Sequence, residues 1–231
     1  MSLQGYTSGA SGHGTASYDA ANDDALGNFL LALRARGIRD TAFLNAIERA
    51  PRPAFLPLEY RGFAYQEFAL PLPCGQEAGS AFSIVETVSA LELEPQHHVL
   101  EIGTGSGWQT ALIAGLAKAI VSIERWKSLA EAADARLQAM GLVNAVVAHG
   151  DGEGGVPAAA PFDRIVYNVG IVALLPIMAA QLAEGGMALA PVIAGNEHIL
   201  TRFEKRDGRL VGTELWPVSA APLVQGAAVF L

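Results

Sequence analysis

The stretch V-L-E-I-G-T-G-S-G-W-Q-T-A at residues 99–111 decides the fold of this chain. A short apolar run meets glycines at alternate positions there, and a helix-compatible segment follows, which predicts a strand, a tight turn and a helix start. Glycines let the backbone approach a ligand closely, so we expect a ligand at this turn. The alternative is a glycine-rich turn that binds nothing. The dinucleotide fingerprint would need glycine at Trp108, and the P-loop would need Gly-Lys-Ser/Thr at 107–109, so both are excluded.

Composition and charge narrow the class of protein. The 231 residues are 51% hydrophobic and 16% charged, which favours one domain with a substantial core. The net charge of −8 disfavours a nucleic-acid partner. Cys74 is the single cysteine and no secretory signal pattern is visible, so we expect a cytoplasmic protein. Pro176 and several polar residues interrupt the uncharged segment 165–183, which predicts a strand and a helix rather than a membrane span. We expect no metal site.

The chain divides into a tail and one domain. Residues 1–18 are rich in Gly, Ser, Ala and Thr, which predicts a disordered tail. Within the single domain 19–231, we expect an N-terminal cap of helices and loops at 19–82, an α/β core at 83–192, and a C-terminal hairpin and edge strand at 193–231. The cap holds helices at 19–36 and after Asp40, an extended path through the prolines at 51–57, and a loop at 64–79.

Strand and helix patterns alternate through the core. We predict strands at 99–102, 120–124, 145–149, 162–169 and 187–192, with helices at 83–93, 108–117, 127–140 and 174–182. Asp207-Gly208 between two apolar segments predicts a hairpin. The fold class is therefore α/β, a doubly wound, mostly parallel Rossmann-like sheet with helices on both faces and an antiparallel C-terminal edge.

Two acidic residues follow strands at the edge where such sheets bind ligands. Glu124 lies about 20 positions after the glycines, where a carboxylate accepts hydrogen bonds from ribose hydroxyls. The alternative is that Glu124 supports the start of the next helix. Asp151 and the adjoining Gly152 end the next strand, where they can contact an adenine edge or simply form a turn.

These landmarks resemble the class I S-adenosylmethionine-dependent methyltransferases, which carry an acidic residue before alternating glycines. S-I-E at 122–124, G-D-G at 150–152 and P-F-D-R-I-V at 161–166 narrow the resemblance to the protein-L-isoaspartate O-methyltransferase family. A-Y-Q-E-F-A-L-P-L-P-C-G-Q at 64–76 and W-P-V-S-A-A-P-L-V at 216–224 also resemble family segments. The resemblance implies S-adenosyl-L-methionine as cofactor and S-adenosyl-L-homocysteine as product. It implies these cofactor-binding residues: Glu101, Gly103, Thr104, Gly105, Ser106, Gly107, Gln109, Thr110, Glu124, Arg125, Asp151 and Gly152.

The departures from the family concern the acceptor. The family usually reads Thr-Ile-Ser after Gly-Gln, with the serine at the substrate carboxylate, whereas this chain has Glu-Ala-Gly at 77–79. The family also usually reads Thr-Ala-Ala where this chain has Tyr-Asn-Val at 167–169. The resemblance implies methylation of a peptide or protein carboxylate in protein repair. Alternatives are another acceptor, such as a modified peptide or a small molecule, and a cofactor-binding homologue without isoaspartyl activity. The expected carboxylate donors are Gln76, Ser80, Ser83 and Asn168.

Overall fold

A seven-stranded sheet forms the centre of the computed structural model, which describes residues 13–229, with side chains described from residue 23. Its strands are β3 (His98–Ile102), β4 (Ala119–Glu124), β5 (Ala145–His149), β6 (Phe162–Tyr167), β7 (Leu182–Ala194), β8 (Glu197–Arg206) and β9 (Arg209–Val218). Their order is β5-β4-β3-β6-β7-β8-β9. The pairs among β3 to β7 are parallel, and β7-β8 and β8-β9 are antiparallel. The predicted doubly wound sheet with an antiparallel edge is confirmed.

Apolar clusters cover both faces of this sheet. One contains residues of α3 (Ala81–Ala90), α4 (Trp108–Ala114) and α5 (Lys127–Ala139), with Trp108 fully buried. The other contains Met178 from α6 (Pro176–Gln181) together with Tyr167 and Ile102 from the strands. Because both faces are covered, the parallel strands are apolar almost throughout, which is why their positions could be predicted.

The N-terminal cap differs in part from the prediction. Helix α1 spans His13–Ala35, so residues 13–18 are helical although they were predicted within the disordered tail; residues 1–12 lie outside the described part. Helix α2 (Thr41–Arg49) begins as predicted, because the Phe43 N–H donates to the Asp40 side chain at 2.7 Å.

The expected extended path through the prolines at 51–57 is wrong over Arg52–Phe55, which form a 3₁₀ helix, although Pro51 and Leu56 on either side are extended. A second 3₁₀ helix follows at Leu58–Phe63. Proline fits the first turn of a helix because its φ is suitable and its missing N–H needs no partner there.

A small antiparallel pair replaces part of the predicted loop at 64–79. Strands β1 (Leu70–Leu72) and β2 (Gln76–Ala78) pair through a turn in which Cys74 and Gly75 both have positive φ. The pair lies over the glycine turn, where a Cβ built on Gly105 would contact the Leu72 side chain at 3.6 Å. The cap thus covers the ligand-binding edge of the sheet.

Candidate active site

A cavity of about 650 Å³ opens at the carboxyl ends of the parallel strands. This is the edge at which doubly wound sheets bind ligands. Most of the predicted site residues line it, whereas Glu101, Gly107, Thr110 and Asp151 do not. The predicted residues that do line it are Gln76, Ser80, Ser83, Gly103, Thr104, Gly105, Ser106, Gln109, Glu124, Arg125, Gly152 and Asn168.

The glycine turn after β3 can exist only because its glycines adopt left-handed backbone angles. Gly103, Gly105 and Gly107 have φ of +93°, +55° and +87°. A Cβ on Gly107 would lie 3.0 Å from the Cβ of Ala133 in α5, so this glycine allows the turn to pack against the helix. Gly103 and Gly105 border the cavity, whereas Gly107 supports them from behind.

Glu124 ends β4 and presents its carboxylate at the cavity, although only 5% of the residue is exposed. Its two oxygens accept hydrogen bonds from the backbone N–H groups of Gly105, at 2.8 Å, and Trp126, at 2.9 Å. These bonds fix the carboxylate beside the glycine turn. Arg125 follows it, and its Nε donates to the Gly226 carbonyl at 2.8 Å.

Glu101 lies beneath the glycine turn and is completely buried. Its carboxylate accepts hydrogen bonds from the Thr110 and Ser122 hydroxyls and from the Asn168 amide, the last at 3.1 Å. Burial raises the pKa of Glu101 to about 7, and the hydrogen bonds oppose this shift. The hydrogen bonds of Glu101 therefore link β3 to β4, to α4 and to the residue that follows β6. Neither Glu101 nor Thr110 lines the cavity.

The Asn168 side chain is fully engaged within the protein. Its amide nitrogen donates to Glu101 Oε1 at 3.1 Å and to the Gly103 carbonyl at 2.9 Å, and its oxygen accepts from the Gln109 amide at 2.8 Å. An amide has two hydrogens, so none is left for an acceptor carboxylate in this arrangement. Asn168 holds the glycine turn in place instead of serving as the expected acceptor donor.

Asp151 is also directed to the protein rather than to the cavity. Its carboxylate accepts from the Gly226 N–H at 2.8 Å and from the Glu153 N–H at 2.9 Å. It therefore ties the C-terminal segment to the end of β5. The neighbouring Gly152 does line the cavity, and a Cβ there would lie 2.5 Å from Ile102 Cγ2. Only glycine can approach β3 this closely at that position.

The other half of the cavity is lined by short polar side chains at the start of α3. Ser80 caps this helix, accepting from the Ser83 N–H at 3.1 Å, and its hydroxyl donates to Ser83 Oγ at 3.1 Å. Gln76 donates one amide hydrogen to the Cys74 carbonyl at 3.0 Å. Glu77 borders the same space. A Cβ on Gly79 would lie 3.3 Å from Ser83 Oγ, so the Ser83 hydroxyl lies beside a position without a side chain.

Sequence reasoning missed one wall of the cavity. Residues 216–224, which form the end of β9 and the segment after it, line this wall. The Gly170 N–H donates to the Ala221 carbonyl at 2.7 Å, and the Leu223 N–H donates to the Gly170 carbonyl at 2.8 Å. The only signal in the sequence was the resemblance of this segment to the family, because it carries few reactive side chains. Glu67 and Glu86 also line the cavity without having been predicted to do so, whereas Tyr167 belongs to the segment that was expected on the acceptor side.

The cavity has the properties that S-adenosylmethionine requires. Its volume falls within the range of about 300–1,000 Å³ that small-molecule sites occupy. Glycines without side chains border one part of it, and the Glu124 carboxylate, an acceptor suited to ribose hydroxyls, lies beside them. The fold and this site together define a class I S-adenosylmethionine-dependent methyltransferase.

Comparison with known proteins identifies the family. A family model described as protein-L-isoaspartate(D-aspartate) O-methyltransferase matches residues 26–228, and the chain belongs to this family. It is 38% identical over 206 residues to protein-L-isoaspartate O-methyltransferase of Maricaulis maris, covering 89% of this chain and 97% of that protein. It is 41% identical over 204 residues to the protein of the same name from Azorhizobium caulinodans, covering 88% and 94%.

A solved structure supports the fold. The chain is similar to a Plasmodium falciparum structure described as a putative protein-L-isoaspartate O-methyltransferase in complex with S-adenosyl-L-homocysteine. The TM-score is 0.75 at 19% identity, covering 85% of this chain and 97% of the other. Within residues 13–229, no helix is long and apolar enough to cross a membrane. Among residues 23–229, whose side chains are described, no group of three or more His, Cys, Asp and Glu side chains is placed to hold a metal ion.

Proposed function

We propose that this chain transfers a methyl group to the free α-carboxylate of an isoaspartyl residue in a peptide or protein. The observation that carries the proposal is that the cavity of this chain, a member of the family, has two parts with different linings. One part joins the glycine turn to Glu124, and the other is lined by hydroxyl and amide side chains. Relatives named for this activity support the choice of acceptor.

The chemistry asks little of acids or bases in the protein. A carboxylate acceptor is already ionised at neutral pH, so no general base is required. When bound, S-adenosylmethionine supplies an electrophilic methyl group. Glu124 and the glycine turn would hold it, and the Asn168 amide keeps that turn in position. The protein therefore contributes mainly through alignment, which lowers the barrier by removing translational and rotational freedom before the reaction.

A second candidate acceptor is a neutral or cationic group. Glu77, Glu67 and Glu86 line the cavity, and carboxylates there repel an anionic acceptor. Arg36 pairs with Glu67 and Glu86 and offsets part of that charge.

The net charge of −8 supports an acceptor other than nucleic acid. The single cysteine supports a reducing compartment such as the cytoplasm.

A pair of peptides that differ only at one bond tests the proposal. One peptide contains an isoaspartyl linkage, and its twin contains normal aspartate at the same position. We expect methyl transfer from S-adenosylmethionine to the isoaspartyl peptide at least tenfold faster than to its twin, measured as base-labile methyl ester. Equal rates, or no transfer to either peptide while S-adenosylhomocysteine still binds, would contradict isoaspartyl specificity and favour the second candidate.

A further inference from the structure

Tyr167 places a hydroxyl group in the cavity without using it inside the protein. The residue ends β6 and is only 3% exposed, with its ring in the apolar cluster that contains Ile102 and Met178. Within the described part of the chain, no hydrogen bond joins its hydroxyl to another residue. The side-chain atoms there that are both sealed from solvent and unpartnered are Nε of Arg52 and Nε of Arg202. The Tyr167 hydroxyl is therefore open, and the space it meets is the cavity.

Phenylalanine would fill the same volume as the Tyr167 ring, and within the described residues the hydroxyl forms no hydrogen bond that stabilises the fold. A tyrosine at this position therefore points to a ligand that accepts its hydrogen bond. Burial raises the pKa of Tyr167 well above its ordinary value, so the hydroxyl keeps its proton at neutral pH. A protonated hydroxyl suits an anionic ligand, because hydrogen bonds to a charged acceptor are the stronger ones.

Strand order indicates which ligand the hydroxyl faces. Glu124 ends β4, and Gly152 follows β5, so the groups expected to hold ribose and adenine lie on one side of β3. Tyr167 ends β6, on the opposite side of β3. With neighbouring strands about 4.8 Å apart, its strand lies about 10 Å from that of Glu124. The strand that carries Tyr167 thus lies on the other side of β3 from the adenosine-binding groups.

The other side chains expected to face the acceptor already donate inside the protein. Both amide hydrogens of Asn168 are engaged. Ser80 donates to Ser83, whose hydroxyl donates to the Ser80 carbonyl at 3.1 Å. Gln76 donates one of its two amide hydrogens to the Cys74 carbonyl. We propose that the Tyr167 hydroxyl donates a hydrogen bond to the acceptor carboxylate and sets its position for methyl transfer. This assignment rests on the proposed function, because it takes a carboxylate acceptor as given.

The test compares Tyr167→Phe with Tyr60→Phe, which also removes one hydroxyl. Tyr60 packs beside the separate cluster of Leu56, Leu70 and Leu72 and does not line the cavity. We expect Tyr167→Phe to lower kcat/KM for the isoaspartyl peptide about 10- to 100-fold, as loss of a hydrogen bond to a charged group does. Its Kd for S-adenosylhomocysteine should stay within twofold of wild type, and its melting temperature without ligand should be equal or higher. Tyr60→Phe should leave the kinetics unchanged.

Three results would overturn the assignment. Unchanged acceptor kinetics in Tyr167→Phe would show that the hydroxyl does not contact the acceptor. Cofactor affinity weakened by the same factor as kcat/KM would show that it contacts the cofactor. A wild-type chain inactive on the isoaspartyl peptide would overturn the proposed function and, with it, the carboxylate acceptor required here. The first result, obtained with an active wild type, would overturn this assignment and leave the proposed function intact.

Discussion

Gly107→Ala tests how the glycine turn is supported, and its cost can be worked out from the structure. Gly107 has φ of +87°, and an added Cβ would lie 3.0 Å from the Cβ and 3.4 Å from the Cα of Ala133. The left-handed backbone costs a residue with a Cβ about 1–2 kcal/mol. Overpacking against a helix backbone that cannot easily move adds about 1–3 kcal/mol. We therefore expect Gly107→Ala to lower the free energy of unfolding by about 2–5 kcal/mol.

Gly141→Ala is the matched control. Gly141 follows α5 with φ of +72°, and nothing lies within 4 Å of a Cβ built on it. This variant carries the backbone cost without the contact, so it should lose only about 1–2 kcal/mol. Urea denaturation followed by circular dichroism measures both values. Gly107→Ala should also bind S-adenosylhomocysteine more weakly, because Gly103 and Gly105 share its turn, whereas Gly141→Ala should bind normally. Equal destabilisation of the two variants would refute the packing argument.

Two further predictions concern the buried carboxylates. Glu124→Gln keeps an oxygen for the Gly105 N–H but removes the charge, so S-adenosylhomocysteine should bind about 10- to 100-fold more weakly by calorimetry; unchanged affinity would contradict a ribose contact. Glu101 has its pKa raised from 4.5 to about 7, so its contribution to stability is full below pH 4.5 and is lost as pH rises through about 7. Between pH 4 and 8, wild type should therefore lose about 3 kcal/mol of unfolding free energy that Glu101→Gln does not, and parallel urea-derived pH profiles would contradict this.

The sheet could be predicted from sequence because its strands are buried on both faces. Such strands are continuous apolar runs, and the helices between them have one apolar side. The Asp207-Gly208 hairpin was equally predictable, because the Asp-Gly pair favours a turn in which both residues have positive φ. Both residues have positive φ in the structure. The path through residues 51–63 was not, since proline favours both extended backbone and the first turn of a helix.

The site was predictable only in part, because residue type does not reveal where a side chain is engaged. Asn168 and Asp151 have the right chemistry for ligand binding, but the structure shows their hydrogen-bonding groups directed to the protein. Tyr167 was expected on the acceptor side only because the chain departs from the family pattern there, and residue type alone did not show that its ring is buried while its hydroxyl is open to the cavity. The C-terminal wall consists mainly of small and apolar residues whose role depends on backbone contacts with Gly170.

A crystal structure of the chain with S-adenosylhomocysteine and an isoaspartyl peptide tests the central claim most directly. We predict the adenosine ribose within hydrogen-bond distance of the Glu124 carboxylate, and the isoaspartyl carboxylate in the same cavity within hydrogen-bond distance of the Tyr167 hydroxyl. A peptide carboxylate bound outside this cavity, or a nucleoside bound away from Glu124 and the glycine turn, would contradict the account.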